Sequence, residues 1–122
     1  MQFSEDLSSG INVVRAYGSG ELRVNESVYR GAVILSASTA IAEPNIHNLE
    51  DLIAVDVSRI FALKPELVLL GTGAHQIFPV ASFGAQFLRA GIGFEVMDTG
   101  AACRTFNVLV AEHRQVAALL LA

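Results

Sequence analysis

The sequence is poor in the residues that most often announce a chemistry. A single cysteine, Cys103, stands among 122 residues. That excludes an internal disulfide and agrees with a reducing compartment. The histidines, His47, His75 and His113, are scattered, and Asp56 and Asp98 have no partner ligand three or four residues on, so no metal site is expected. Charged residues make up only 16%, eight basic against twelve acidic, with a net charge of -4 and no basic cluster. Binding to nucleic acid relies on neutralising phosphates and is therefore disfavoured. No apolar run approaches the ~18 residues that a membrane span needs. The opening MQFSEDLSSG carries two acids and no base, the wrong charge for a secretory leader or a mitochondrial transit peptide. Together these absences predict a soluble, cytoplasmic protein without nucleic-acid partners, and no repeat, low-complexity segment or linker divides the chain.

What is present is apolar: hydrophobic residues reach 52%. In a short chain this implies either an interior of buried parallel strands or a surface patch covered by a partner. The length suits one domain spanning residues 1–122. Ile11 to Tyr17 reads as a strand, Gly18-Ser19-Gly20 as a hairpin turn and Glu21 to Val24 as the return. Val28 to Ser36 reads as a third, central strand, while Pro44 makes Ile41 to Ile46 a short edge strand or an irregular loop. Asp56 caps a helix through Val57 to Leu63 that Pro65 ends. From Glu66 onward, strand, helix, strand, helix and strand alternate, the pattern of a largely parallel sheet. The expected fold is a single three-layer α/β domain, with a mixed central sheet, helices packed on it and an N-terminal β-hairpin or meander at one side.

Two glycine loops follow predicted parallel strands. The first, Gly71-Thr72-Gly73, opens like a dinucleotide-binding turn but lacks the third glycine, does not run straight into a helix and has no phosphate-loop lysine. Positive φ or close backbone contact explains its glycines better than phosphate does. The second loop holds Asp98, Thr99 and Gly100. If the two strands are neighbours, both loops face one crevice, the usual ligand position in open α/β sheets. The simpler reading is that Asp98 or Thr99 caps the following helix, and the two readings are compatible. Cys103 in the first turn of the next helix beside Arg104 has two features that lower a thiol pKa, and only His75 lies where it could act as its base. Cysteine is also often simply buried.

Gly71-Thr72-Gly73 with Gln76 and Phe78, followed by GIGFEVMDTGAACRTFNVLVAEHRQVAALLL, resembles the small Mth-domain family. The resemblance runs from about Leu67 to Leu121. It implies a three-layer fold with a mixed sheet and no established enzyme activity. The family's elements map onto Gly71, Thr72, Gly73, Gln76, Phe78, Asp98, Thr99, Ala102, Thr105, Asn107, Leu109 and Arg114. His113 stands where a glycine is expected, which speaks against a tight turn there.

Two functions are open on this basis. One is a non-catalytic interaction or assembly-factor-like module, with a protein partner that the family's mitochondrial complex I assembly factor suggests is a respiratory-complex component; homodimerisation is also open. The other is a small-molecule binder or enzyme in the crevice. There Thr72, Gln76, Asp98, Thr105 and Asn107 would supply donors and acceptors, and Phe78 and Phe106 the walls. No cofactor is expected under either. If those polar side chains bond only to each other and to backbone, the pocket is structural.

Overall fold

The computed structural model describes residues 10–122; the acidic start read from residues 1–9 lies outside the described residues. Strands β1 (Val14–Gly18), β2 (Glu21–Val24) and β3 (Ser27–Arg30) form an antiparallel meander. Strands β4 (Ala32–Ser36), β5 (Ala40–Glu43), β6 (Leu67–Gly71), β7 (Gly93–Met97) and β8 (Val116–Leu121) form the main sheet in the order β5-β4-β8-β6-β7. β6 is parallel to both β7 and β8, whereas β4 is antiparallel to β8 and β5, so the sheet is mixed. Helices α1 (Leu49–Leu52), α2 (Ser58–Phe61), α3 (Ala81–Arg89) and α4 (Thr99–Ala111) complete the domain. Among the described residues no helix is long and apolar enough to cross a membrane.

Alternation along the strands divides the core in two. Val33, Leu35, Leu69, Ala118 and Leu120 point to one face, where α4 and the small sheet cover them with Ala102, Phe106, Val110, Val14 and Leu22. Ile34, Val68, Leu70 and Leu119 point to the other, under α1 to α3. Phe87 is fully buried there, with its ring centroid 5.3 Å from Phe61, 5.5 Å from Phe83 and 5.6 Å from Phe94. These are the three layers the sequence predicts.

The strand expected over Val28 to Ser36 is two strands. Gly31, at φ +81°, turns the chain out of the meander and into the main sheet, and β4 lies beside the edge strand β5, with β8 at the centre. The meander does not extend the main sheet but packs on its face. The helix expected from Val57 to Leu63 is the single turn α2, whose N-cap is Val57 with no side-chain cap bond; the Asp56 carboxylate accepts from the Ser58 N–H at 3.0 Å just before it. The Ser58 hydroxyl, and after it that backbone bond, hold the Asp56 carboxyl below the usual range.

The turn after α4 is tight despite His113, which takes the left-handed conformation at φ +64°. Its N–H bonds to the Val110 carbonyl and that of Arg114 to the Leu109 carbonyl, both at 2.9 Å. Glu66 fastens the exit, accepting from Arg114 at 3.0 and 3.1 Å and from the Gln115 N–H at 3.1 Å. A glycine in this turn removes side-chain strain at some cost in chain entropy, so His113→Gly is expected to stabilise the fold by about 0.5 kcal/mol, read as a higher urea midpoint at unchanged m-value.

Candidate functional site

Because β6 and β7 are parallel neighbours, the loops that follow them meet. They do so by bonding to one another. The Thr72 N–H donates to the Met97 carbonyl at 2.9 Å, and the Thr99 N–H donates to the Gly73 carbonyl at 2.9 Å. The Thr99 hydroxyl accepts from the Gly73 N–H at 2.7 Å and donates to the Leu121 carbonyl at 2.6 Å, tying the ends of β6, β8 and α4 together. Thr72 accepts from the Ile77 N–H at 3.0 Å and directs its proton at the His75 carbonyl, 2.5 Å away, with the Met97 carbonyl at 3.2 Å. Both threonines are buried. Asp98 accepts from the Ala101 N–H at 2.9 Å and so caps α4.

The glycines serve this closeness. A Cβ on Gly71 would stand 3.2 Å from the Thr99 Cα, and Gly73 has φ +91°. The Gly73 N–H that a phosphate would need is held by Thr99, and a carboxylate already occupies the start of α4. Backbone approach therefore accounts for the motif.

The remaining residues singled out in the sequence lie elsewhere. Gln76 reaches the outer edge of β7, its Nε2 donating to the Val96 carbonyl at 3.0 Å. Phe78 is 71% exposed and lines a groove on the α3 side. Thr105 faces the Met97 sulfur at 3.5 Å. Asn107 grips the backbone of Val14, accepting from its N–H and donating to its carbonyl, each at 2.9 Å. The ring of donors expected around one crevice is not formed, and Phe106, expected as a wall, is buried in the core.

Cys103 is also a core residue. Of the two readings the sequence leaves open, a thiol lowered by the helix and Arg104 or one simply buried, burial wins: it pushes the thiol up to about 12, against the opposing pull of the Arg104 charge. The folded pKa is raised above the ordinary value of 9.0, so the stability linked to this thiol is fully present below that pH and is lost as pH rises towards 12. At pH 8 a thiol reagent is expected to label Cys103 only in step with global unfolding. Rapid labelling of the native protein would contradict this burial.

Open space lies one layer outward. A cavity of about 250 Å³ separates the β1–β2 turn from the start of α4, with Tyr17, Glu21, Asp98 and Arg104 on its walls. Arg104 donates to the Tyr17 hydroxyl, and the Tyr17 ring lies so close to Gly100 that a Cβ there would be 2.7 Å away. Eighty-seven residues separate Tyr17 from Arg104, and no local pattern links them in the sequence. Among the described residues no group of three or more side chains could hold a metal ion. A second, shallower space of about 600 Å³ runs beside β7 and is lined by Phe78, Val80, Leu88, Phe94 and Val96, with Glu95 at its rim.

Comparison with known proteins agrees with this architecture. The 13 kDa major membrane protein of Francisella tularensis is 30% identical over 108 residues, 88% of each chain. The NADH dehydrogenase (ubiquinone) 1 alpha subcomplex assembly factor 3 of Danio rerio is 32% identical over 120 residues, 96% of this chain and 67% of that one. A solution structure of a Bordetella pertussis protein, described as a Mth938-like domain, matches with a TM-score of 0.76 at 28% identity, covering 93% of this chain and 87% of the other. Since the pattern of the family described as "Protein of unknown function (DUF498/DUF598)" matches residues 14–121, the chain belongs to that family, which is the Mth-domain family its two glycine loops resemble.

Proposed function

We propose that the chain is a non-catalytic protein-interaction module of the assembly-factor kind, with a respiratory-complex component as its partner. The observation that carries this reading is a cluster of exposed apolar residues beside β7: Phe78 is 71% exposed, Val80 63% and Leu88 60%. Large apolar side chains gathered at one place mark a surface that another protein covers. The relative named as a complex I assembly factor lends the reading its partner class. We place the protein in the cytoplasm and treat residues 1–122 as one domain, which calls for a single cooperative unfolding transition.

The test is affinity capture from gently solubilised cells, read by mass spectrometry against an unrelated domain of similar charge. Respiratory-complex subunits or their assembly proteins are expected with the wild type and to be lost with the double variant Val80→Asp, Leu88→Asp, whose sites are exposed enough to leave the fold intact. A chain that emerges alone sinks the reading. In that event the cavity lined by Tyr17 and Arg104 favours a small-molecule binder, and a thermal-shift screen of metabolites against wild type and Arg104→Ala is the measurement.

A further inference from the structure

Strand β7 is one edge of the main sheet. Its Gly93 N–H bonds to the Glu66 carbonyl, and its Met97 carbonyl accepts from Thr72. In a parallel ladder this alternation means that Gly93, Glu95 and Met97 turn their backbone groups towards β6. Phe94 and Val96 turn theirs to the open edge. Of those outward groups, the Val96 carbonyl is satisfied by Gln76, while among the described residues nothing bonds to the N–H and carbonyl of Phe94 or to the Val96 N–H.

We infer that this edge accepts an extended segment of a partner protein as an added strand, with apolar residues on one face of the segment and a lysine or arginine opposite Glu95. The inference rests on the interaction-module reading and names the partner's chemistry. Edge addition takes its affinity from main-chain bonds and its selectivity from alternate side chains, and both are provided for. Phe94 and Val96 pack towards α3, so an added strand's side chains on that face would drop into the groove bounded by Phe78, Val80 and Leu88. By strand alternation Glu95 points to the opposite face, where it is exposed. It joins no ion pair among the described residues. A cation is the cross-strand neighbour that this lone carboxylate favours.

The same features disfavour two of the registers in which a second copy of the chain could pair. An antiparallel self-pairing centred on Glu95 would set two carboxylates directly opposite each other, which is destabilising. One centred on Val96 would meet a carbonyl already bonded to Gln76. Gln76 thus shortens an edge that would otherwise invite self-association.

The test uses the isotope-labelled full chain and two short synthetic peptides, one alternating valine with lysine and one alternating valine with glutamate, at low ionic strength. The lysine peptide is expected to slow amide exchange at Phe94 and Val96 and to bind about tenfold more tightly than the glutamate peptide, with the preference reversed in Glu95→Lys. Equal binding of the two peptides, protection at another part of the surface or no protection at all overturns the inference. Protection that grows with protein concentration alone also overturns it and gives the edge to a second copy. In affinity capture, partners retained by Glu95→Lys at the wild-type level would leave the interaction-module reading standing while removing this one.

Discussion

Gly31→Ala is expected to cost the domain about 3 kcal/mol, a large share of the ~5–15 kcal/mol that holds a domain of this size together. Two effects combine. At φ +81° an alanine enters the left-handed region, at a cost of about 1–2 kcal/mol. Its Cβ would also lie 2.6 Å from the Pro44 carbonyl oxygen and 2.7 Å from that of Glu43. Both are backbone atoms, so relief requires the end of β5 to move away from Ala32, its register partner of Glu43. Displacing packed backbone adds about another 1–3 kcal/mol. Gly20 provides the control. It has φ +76° but nothing within 4 Å of a built Cβ, so Gly20→Ala is expected to show the conformational cost alone. Urea unfolding of the two variants side by side checks the argument. Equal losses would mean that the contact with Pro44 is not what requires glycine at position 31.

Gly31 also marks a limit of legibility. Local alternation in Val28 to Ser36 describes an uninterrupted strand, because both halves are extended and apolar. The break depends on where Pro44 lies, thirteen residues along the chain, and no local pattern reports that. The parallel units were legible because β6 and β8 bury both faces and helices punctuate the run from β6 through the edge strand β7 to β8. Their adjacency then placed the loops at Gly71–Gly73 and Asp98–Gly100 together as expected. What each polar group bonds to was not legible. Asn107 spends its amide on Val14, ninety-three residues away, and Thr72 spends its hydroxyl within the loop it belongs to. A donor or acceptor aimed at a ligand and one aimed at a neighbouring backbone look alike in a sequence. Nor does the sequence choose between a lowered and a buried Cys103, since the helix and Arg104 are local features while the core that covers the thiol is assembled from several elements.

Thr99 gives the second large effect and separates a structural loop pair from a ligand site. The Thr99→Val side chain has nearly the same shape but neither donates nor accepts. It leaves the Gly73 N–H and the Leu121 carbonyl without the partners they have at 2.7 and 2.6 Å, in a position only 5% exposed. A stranded buried backbone group costs about 1–3 kcal/mol, so the expected loss is about 2–5 kcal/mol. Thr99→Ser keeps the hydroxyl and removes one methyl, for which about 1 kcal/mol is expected. The hydroxyl also closes the joint between the ends of β6 and β8. Amide exchange at Gly73 and Thr72 is therefore expected to accelerate in Thr99→Val more than exchange in the Phe87 cluster on the far face. If Thr99→Val instead proved as stable as the wild type, the hydroxyl would not be needed to hold the strand ends. A ligand-facing role for the two loops would then be the better account of why a threonine stands there.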